Sequence, residues 1–134
     1  MMRLEYINPF VESAVNILET VLSMKIKRGE LYLKAKCQPV LGVTAIVGLA
    51  GDVEGRVLID MTEDTAMAIA SEMNKEEFTE FSELARATIT ELANMIVAQA
   101  VTKLSDLGFK FELTPPTIFT GDNMEVTDTG IEAL

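Results

Sequence analysis

The sequence predicts a single α+β domain in which two long helices pack on an antiparallel sheet. Three observations carry this. The 134 residues match the length of one domain, and 49% of them are hydrophobic, enough to bury one core. Apolar residues recur at helical spacing in two long stretches and alternate in several short ones. No Pro- or Ser-rich linker divides the chain, so residues 1–134 read as one unit.

The elements follow in order. Asn8 and Pro9 read as N-cap and first helical residue. From there Phe10, Val11, Ala14, Ile17, Leu18, Val21 and Leu22 define one buried face, so a helix is expected from about Pro9 to Met24. Lys25, Lys27 and Arg28 follow as a solvated helix end that complements the dipole. After Gly29, Leu31, Leu33 and Ala35 alternate with Tyr32, Lys34 and Lys36 as a half-buried strand. Val43 to Leu49 and Val53 to Met61 form two more strands, with Ala50-Gly51-Asp52 as the hairpin turn. Thr62 caps a short helix to about Met73, with Glu63 and Asp64 in its first turn. The longest element runs from Ser82 to Leu107 and stops at Gly108; at 1.5 Å per residue it spans about 39 Å. Phe109 to Leu113, the Pro115-Pro116 pair and Thr117 to Thr120 follow as strand, rigid bend and strand. Ile131 and Ala133, alternating with Glu132, read as the opening of one more strand.

Composition narrows the chemistry. There is no histidine, which excludes Ser-His-Asp and Cys-His catalysis and every His-based zinc site. The one cysteine, Cys37, permits no internal disulfide and reads as a half-buried strand thiol, which fits a reducing cytoplasm. A net charge of -10 argues against a nucleic-acid partner. No apolar run approaches the roughly 20 residues a membrane span needs, and MMRLEYINPF has no signal-peptide pattern. The carboxylates are scattered without metal-ligand spacing, and no convergent set of polar groups marks a small-ligand pocket.

On a helical wheel of the long element, Ile89, Leu92, Ile96 and Leu107 form the buried stripe, while Ala87, Glu91, Asn94, Ala98 and Val101 lie roughly opposite. Glu91 and Asn94, three apart, project side by side among small residues. Taken alone, a Glu-x-x-Asn pair is better explained by an ordinary solvated helix face.

The segment SELARATITELANMIVAQAVTKLSDL (Ser82 to Leu107) resembles the signature helix of the CheX, CheC and FliY chemotaxis phosphatases, whose motif is a Glu, two residues and an Asn. The likeness extends collinearly through INPFVESAVNILET, VGLAGDVEGRVLID and LTPPTIFTG, nearly the whole chain. It implies a phosphatase acting on the phosphoaspartate of a CheY-like response regulator. Catalytic roles would fall to Asn94, whose amide orients the attacking water, and to Glu91, which pairs with a regulator lysine. The resemblance implies no cofactor on this chain; Mg²⁺ is expected on the partner regulator. The family usually carries Asp or Ser where Ala87 stands, so that contribution to docking is missing or supplied elsewhere. Relatives with two sites repeat the motif on the first helix; here Glu12 and Asn16 are spaced by four and read as a solvated face, favouring the single-site CheX branch.

The chain is expected to stop where the family enters its last sheet hairpin. An open edge of that kind, baring Val43, Ile46 and Val57, would favour a homodimer joined through the sheet, as in CheX-type relatives. The alternative reading is a non-enzymatic module of the flagellar-switch type that binds the regulator without hydrolysing its phosphate.

Overall fold

One strand organises the sheet. The computed structural model describes residues 4–31, 37–52, 54–122 and 124–127. Within them, β2 (Val43–Gly51) pairs antiparallel with β3 (Gly55–Met61) along one edge, from Val43 opposite Met61 to Leu49 opposite Gly55. Its other edge is shared in tandem by β4 (Phe111–Leu113) and β5 (Thr117–Thr120). The Pro115-Pro116 pair separates these two strands, as residues without an N–H must. Beside it Thr114 bridges to β2: the Gly48 N–H donates to Thr114 Oγ1 at 2.8 Å, and the Thr114 N–H to the Gly48 carbonyl at 3.0 Å. A separate antiparallel pair joins β1 (Cys37–Pro39) to β6 (Glu125–Thr127), with Cys37 opposite Thr127. The fold is the expected α+β arrangement, an antiparallel sheet under two long helices and one short one.

Helices α1 (Leu4–Leu22), α2 (Glu63–Asn74) and α3 (Glu83–Asp106) enclose the core with one face of the sheet. Val43 and Met61 from the sheet, Ala66 and Ile69 from α2, and Ile89, Leu92 and Ile96 from α3 form its centre, with Ala14, Ile17, Leu18 and Val21 of α1 against it. The 24 residues of α3 span about 36 Å. Its buried positions, from Ala85 to Leu104, sweep about half the circumference, because sheet, α1 and α2 all pack on it. Exposed positions from Glu83 to Asp106 occupy most of the other half.

Both ends of α3 lie where capping chemistry puts them. The Ser82 hydroxyl accepts from the Ala85 N–H at 3.2 Å. At the other end Gly108, with φ of 96°, lets the Gly108 N–H reach the Ser105 carbonyl and the Phe109 N–H the Leu104 carbonyl, a closed Schellman turn. The Thr62 hydroxyl caps α2 in the same way, on the Thr65 N–H.

Several boundaries and faces differ from expectation, each for a tertiary reason. Helix α1 begins at Leu4 rather than Pro9, and Pro9 lies inside it. Proline forfeits one bond, to the Glu5 carbonyl, so near the helix start the loss is small. The added turn carries Tyr6, whose ring packs edge-on against Phe109 at 4.8 Å and Phe111 at 6.5 Å. The helix ends at Leu22, before Ser23 in a left-handed conformation. Lys25, Lys27 and Arg28 therefore lie beyond its last turn, on a segment held by the Ile26 N–H donating to Glu19 Oε2. Leu31 is exposed coil, the rest of the proposed first strand (32–36) lies outside the described residues, and the first strand among the described residues is Cys37–Pro39.

The hairpin turn is displaced as well. Ala50 and Gly51 remain in β2 because they pair with Glu112 and Phe111 of β4, and β3 starts only at Gly55. A Cβ at Gly51, where φ is 137°, would collide with the Lys110 carbonyl oxygen. The same junction is laced by the Asp52 N–H donating to the Lys110 carbonyl at 3.0 Å and the Lys110 N–H to Asp52 Oδ2 at 2.8 Å. Leu107 is 61% exposed as the α3 C-cap, and fully buried Leu104 ends the core stripe instead.

The register corrects the sheet faces. Val43 and Val57 stand on the side covered by helices, and Val43 is fully buried; of the three named valines and isoleucine, only Ile46 belongs to the outer face, beside Leu58. The expected strand at Ile131 to Ala133, and with it the expected missing hairpin, lies outside the described residues.

Candidate functional site

Glu91 and Asn94 are both exposed near the middle of α3. At 100° per residue they stand about 60° apart around the axis and about 4.5 Å apart along it, so both side chains point into the same solvent. Ala87 and Ala98 are exposed on either side, and Val101 is half-buried at the margin. Among the described residues neither Glu91 nor Asn94 makes a side-chain hydrogen bond or ion pair. Directly beneath them Leu92, Ala93, Ile96 and Val97 are buried. The polar pair therefore sits on a rigid, packed backbone with no intramolecular use for its own donors and acceptors.

The surface here is convex. Two depressions in the described surface lie elsewhere. One, at the start of α2, is lined by Leu41, Gly42, Glu63, Asp64, Thr120 and Asp122. The other, along α1, is lined by Val11, Glu12, Val15, Asn16 and Arg28. Among the described residues no group of three or more carboxylates or cysteines could hold a metal ion, and no helix is long and apolar enough to cross a membrane. This exposed ridge carries one amide and one carboxylate side by side. It can enter a cavity of another macromolecule.

Two features of α3 escape sequence reading. Thr88 is a buried polar residue whose hydroxyl donates to the Leu84 carbonyl at 2.8 Å and accepts from Asn74 Nδ2 at 2.7 Å; Asn74 also donates to the Ala70 carbonyl. This network bolts the first turns of α3 to the end of α2. The second is an ion pair at 3.3 Å between Lys103 of α3 and Glu12 of α1, residues 91 positions apart. A buried threonine within a helix and a lysine near its end carry no sequence signal for such partners.

An α+β domain that displays a Glu-x-x-Asn pair on one exposed helix agrees with what the chain resembles. The family described as chemotaxis phosphatase CheX matches residues 43–133, which includes all of α3. The chain belongs to that family. It is 26% identical over 126 residues to the CheY-P phosphatase CheX of Thermotoga maritima, covering 93% of this chain and 81% of that protein. A CheC-like superfamily protein from Shewanella sp. PV-4 shares the fold with a TM-score of 0.86 and 28% identity, over 96% of this chain and 84% of that one. CheX of Borrelia burgdorferi, solved in a complex with CheY, BeF3 and Mg, matches with a TM-score of 0.71 and 38% identity, over 90% and 80% of the two chains.

Proposed function

We propose that this protein dephosphorylates a CheY-like response regulator in the cytoplasm, with Asn94 positioning the attacking water and Glu91 docking the regulator. The observation that carries the reading is the exposed Asn94 amide, one turn from the exposed Glu91 carboxylate on α3, both without a side-chain partner among the described residues. Support comes from the family and from two relatives, one a CheY-P phosphatase and one solved with CheY.

The chemistry suits those side chains. Water attacks phosphorus in line as the bond between phosphorus and the aspartyl oxygen breaks, giving free aspartate carboxylate and inorganic phosphate. An amide is not a base at neutral pH, so Asn94 cannot take the water's proton; it accepts one hydrogen bond, donates another, and so fixes the water's direction. The Gln of Ras-like GTPases works in this manner. The regulator's own Mg²⁺ and donors would supply neutralisation of the phosphoryl charge, and this chain contributes position, where such catalysts gain most of their rate. Glu91 pairs with a regulator lysine and sets the depth and angle of insertion.

Single-turnover decay of a phosphorylated CheY-like regulator, with and without this protein, is the test. Faster decay that Asn94→Ala abolishes supports the reading. Binding without faster decay would establish the interaction-module alternative. The protein is also proposed to act as a homodimer joined through the sheet, now resting on Ile46, Leu58 and the 47% exposed Phe119 of the outer face. A 14.7 kDa species persisting across micromolar concentrations in sedimentation equilibrium would exclude that dimer.

A further inference from the structure

We infer that Leu84 is an apolar anchor of the docking surface, seated against the response regulator beside the lysine that meets Glu91, and that it contributes to which regulators are accepted. The inference rests on the reading of Glu91 and Asn94 given above. Leu84 precedes Glu91 by seven residues, so it lies within about 20° of it around the axis and about 10 Å along the helix. It is 47% exposed, the sole large apolar side chain of α3 so placed among the described residues.

A lone exposed leucine is ordinary on a protein surface. Position and mounting distinguish this one. Along the stripe, Ala87, Ala98, Thr102 and Ser105 are all short, and the Thr102 hydroxyl is folded back onto the Ala98 carbonyl at 3.0 Å. A body laid on the ridge closely enough to reach Asn94 therefore meets Leu84 and Glu91 as its two long exposed side chains, with half-buried Met95 beside Glu91. The one basic group on these turns, Arg86, is drawn away over the Phe81 ring at 5.5 Å from its centroid, so no cation of this chain competes beside Leu84.

The turn that carries Leu84 is also fixed before any partner arrives. Its carbonyl accepts from the Thr88 hydroxyl, which Asn74 holds in turn, and Ser82 caps the turn from below. A side chain mounted in this way costs little ordering on association. The complementary feature on the regulator is an exposed apolar side chain about 10 Å from the lysine that Glu91 engages. Charge alone, one carboxylate against one ammonium, discriminates poorly among partners that present a lysine. An apolar contact of fixed reach adds a second requirement.

Leu84→Asn and Leu84→Met test this, with binding to the regulator and dephosphorylation measured on the same samples. Asn is expected to raise KM and Kd about tenfold, the order expected on returning part of a leucine contact to water, with kcat within about twofold. Met should restore both constants to within about twofold of the parent. Unchanged constants in Leu84→Asn, with an active parent, would overturn the anchor and leave the Glu91–Asn94 reading intact. If the parent binds without accelerating decay, weakened binding by Leu84→Asn sustains the anchor while the catalytic reading falls. A parent that binds no regulator removes both.

Discussion

Helices α1 and α3 each present an exposed glutamate and an exposed asparagine, and only one of them is suited to act on a partner. On α1, Glu12 already pairs with Lys103, and it shares a groove with Asn16, Val11, Val15 and Arg28. On α3, Glu91 and Asn94 pair with nothing among the described residues and stand on a ridge of alanines. The spacing differs too: four residues turn Glu12 and Asn16 about 40° apart one way, and three turn Glu91 and Asn94 about 60° the other. Residue types are the same in both places. What separates them is whether the carboxylate is spent within the molecule, and whether neighbouring side chains make a hollow or a prominence.

Substitutions can break this contrast. The largest effect is expected at the two asparagines. Asn94→Ala should slow regulator dephosphorylation about 100-fold with an unchanged melting curve, since the side chain is exposed and a misplaced water alone costs that order. Asn16→Ala should leave the rate untouched; equal losses would abolish the distinction between the helices. Next come the glutamates. Glu91→Lys should weaken binding to the phosphorylated regulator about tenfold by setting like charge against its lysine, and a charge-swapped regulator should recover part of the loss, as a surface titration can show. Glu12→Lys should bind and turn over normally.

Smaller effects sharpen the comparison by touching stability alone. Ser82→Ala removes the α3 N-cap and should cost about 1 kcal/mol in chemical denaturation. Lys103→Ala removes only a partly exposed ion pair between the helices, and should cost at most about 1 kcal/mol.

The sequence reveals local chemistry well and tertiary choice poorly. Ser82, Thr62 and Gly108 mark their helix ends because capping is decided within four residues. Pro9 misleads because Tyr6, gripped by Phe109 and Phe111, makes an additional turn worth forming. Gly51 looks like a turn residue because its pairing with Phe111 lies sixty positions away. Leu107 shares a wheel position with Ile89, but the chain leaves the helix there and Leu104 takes its place in the core. At the site, the exposed face of Glu91 and Asn94 is visible in the helical period, while attention falls on that pair only through a likeness running along nearly the whole chain. Leu84 escapes notice because its exposure depends on what packs around α3, which periodicity alone does not report.

The clamps at the two ends of α3 have a kinetic consequence. Asn74 and Thr88 hold the first turns to α2, and the Asp52–Lys110 bonds moor the chain just past the last turn to the end of β2. A helix secured in this way is a stiff spar, presented to solvent in its working shape. Recognition then requires no folding step on this side of the encounter, and association can proceed as a collision of preformed surfaces. On the function proposed above, with a phosphorylated signalling protein as substrate, that matters more than tightness. The complex has to form and come apart within the lifetime of the signal it ends, and a spar that need not rearrange on arrival need not relax on departure.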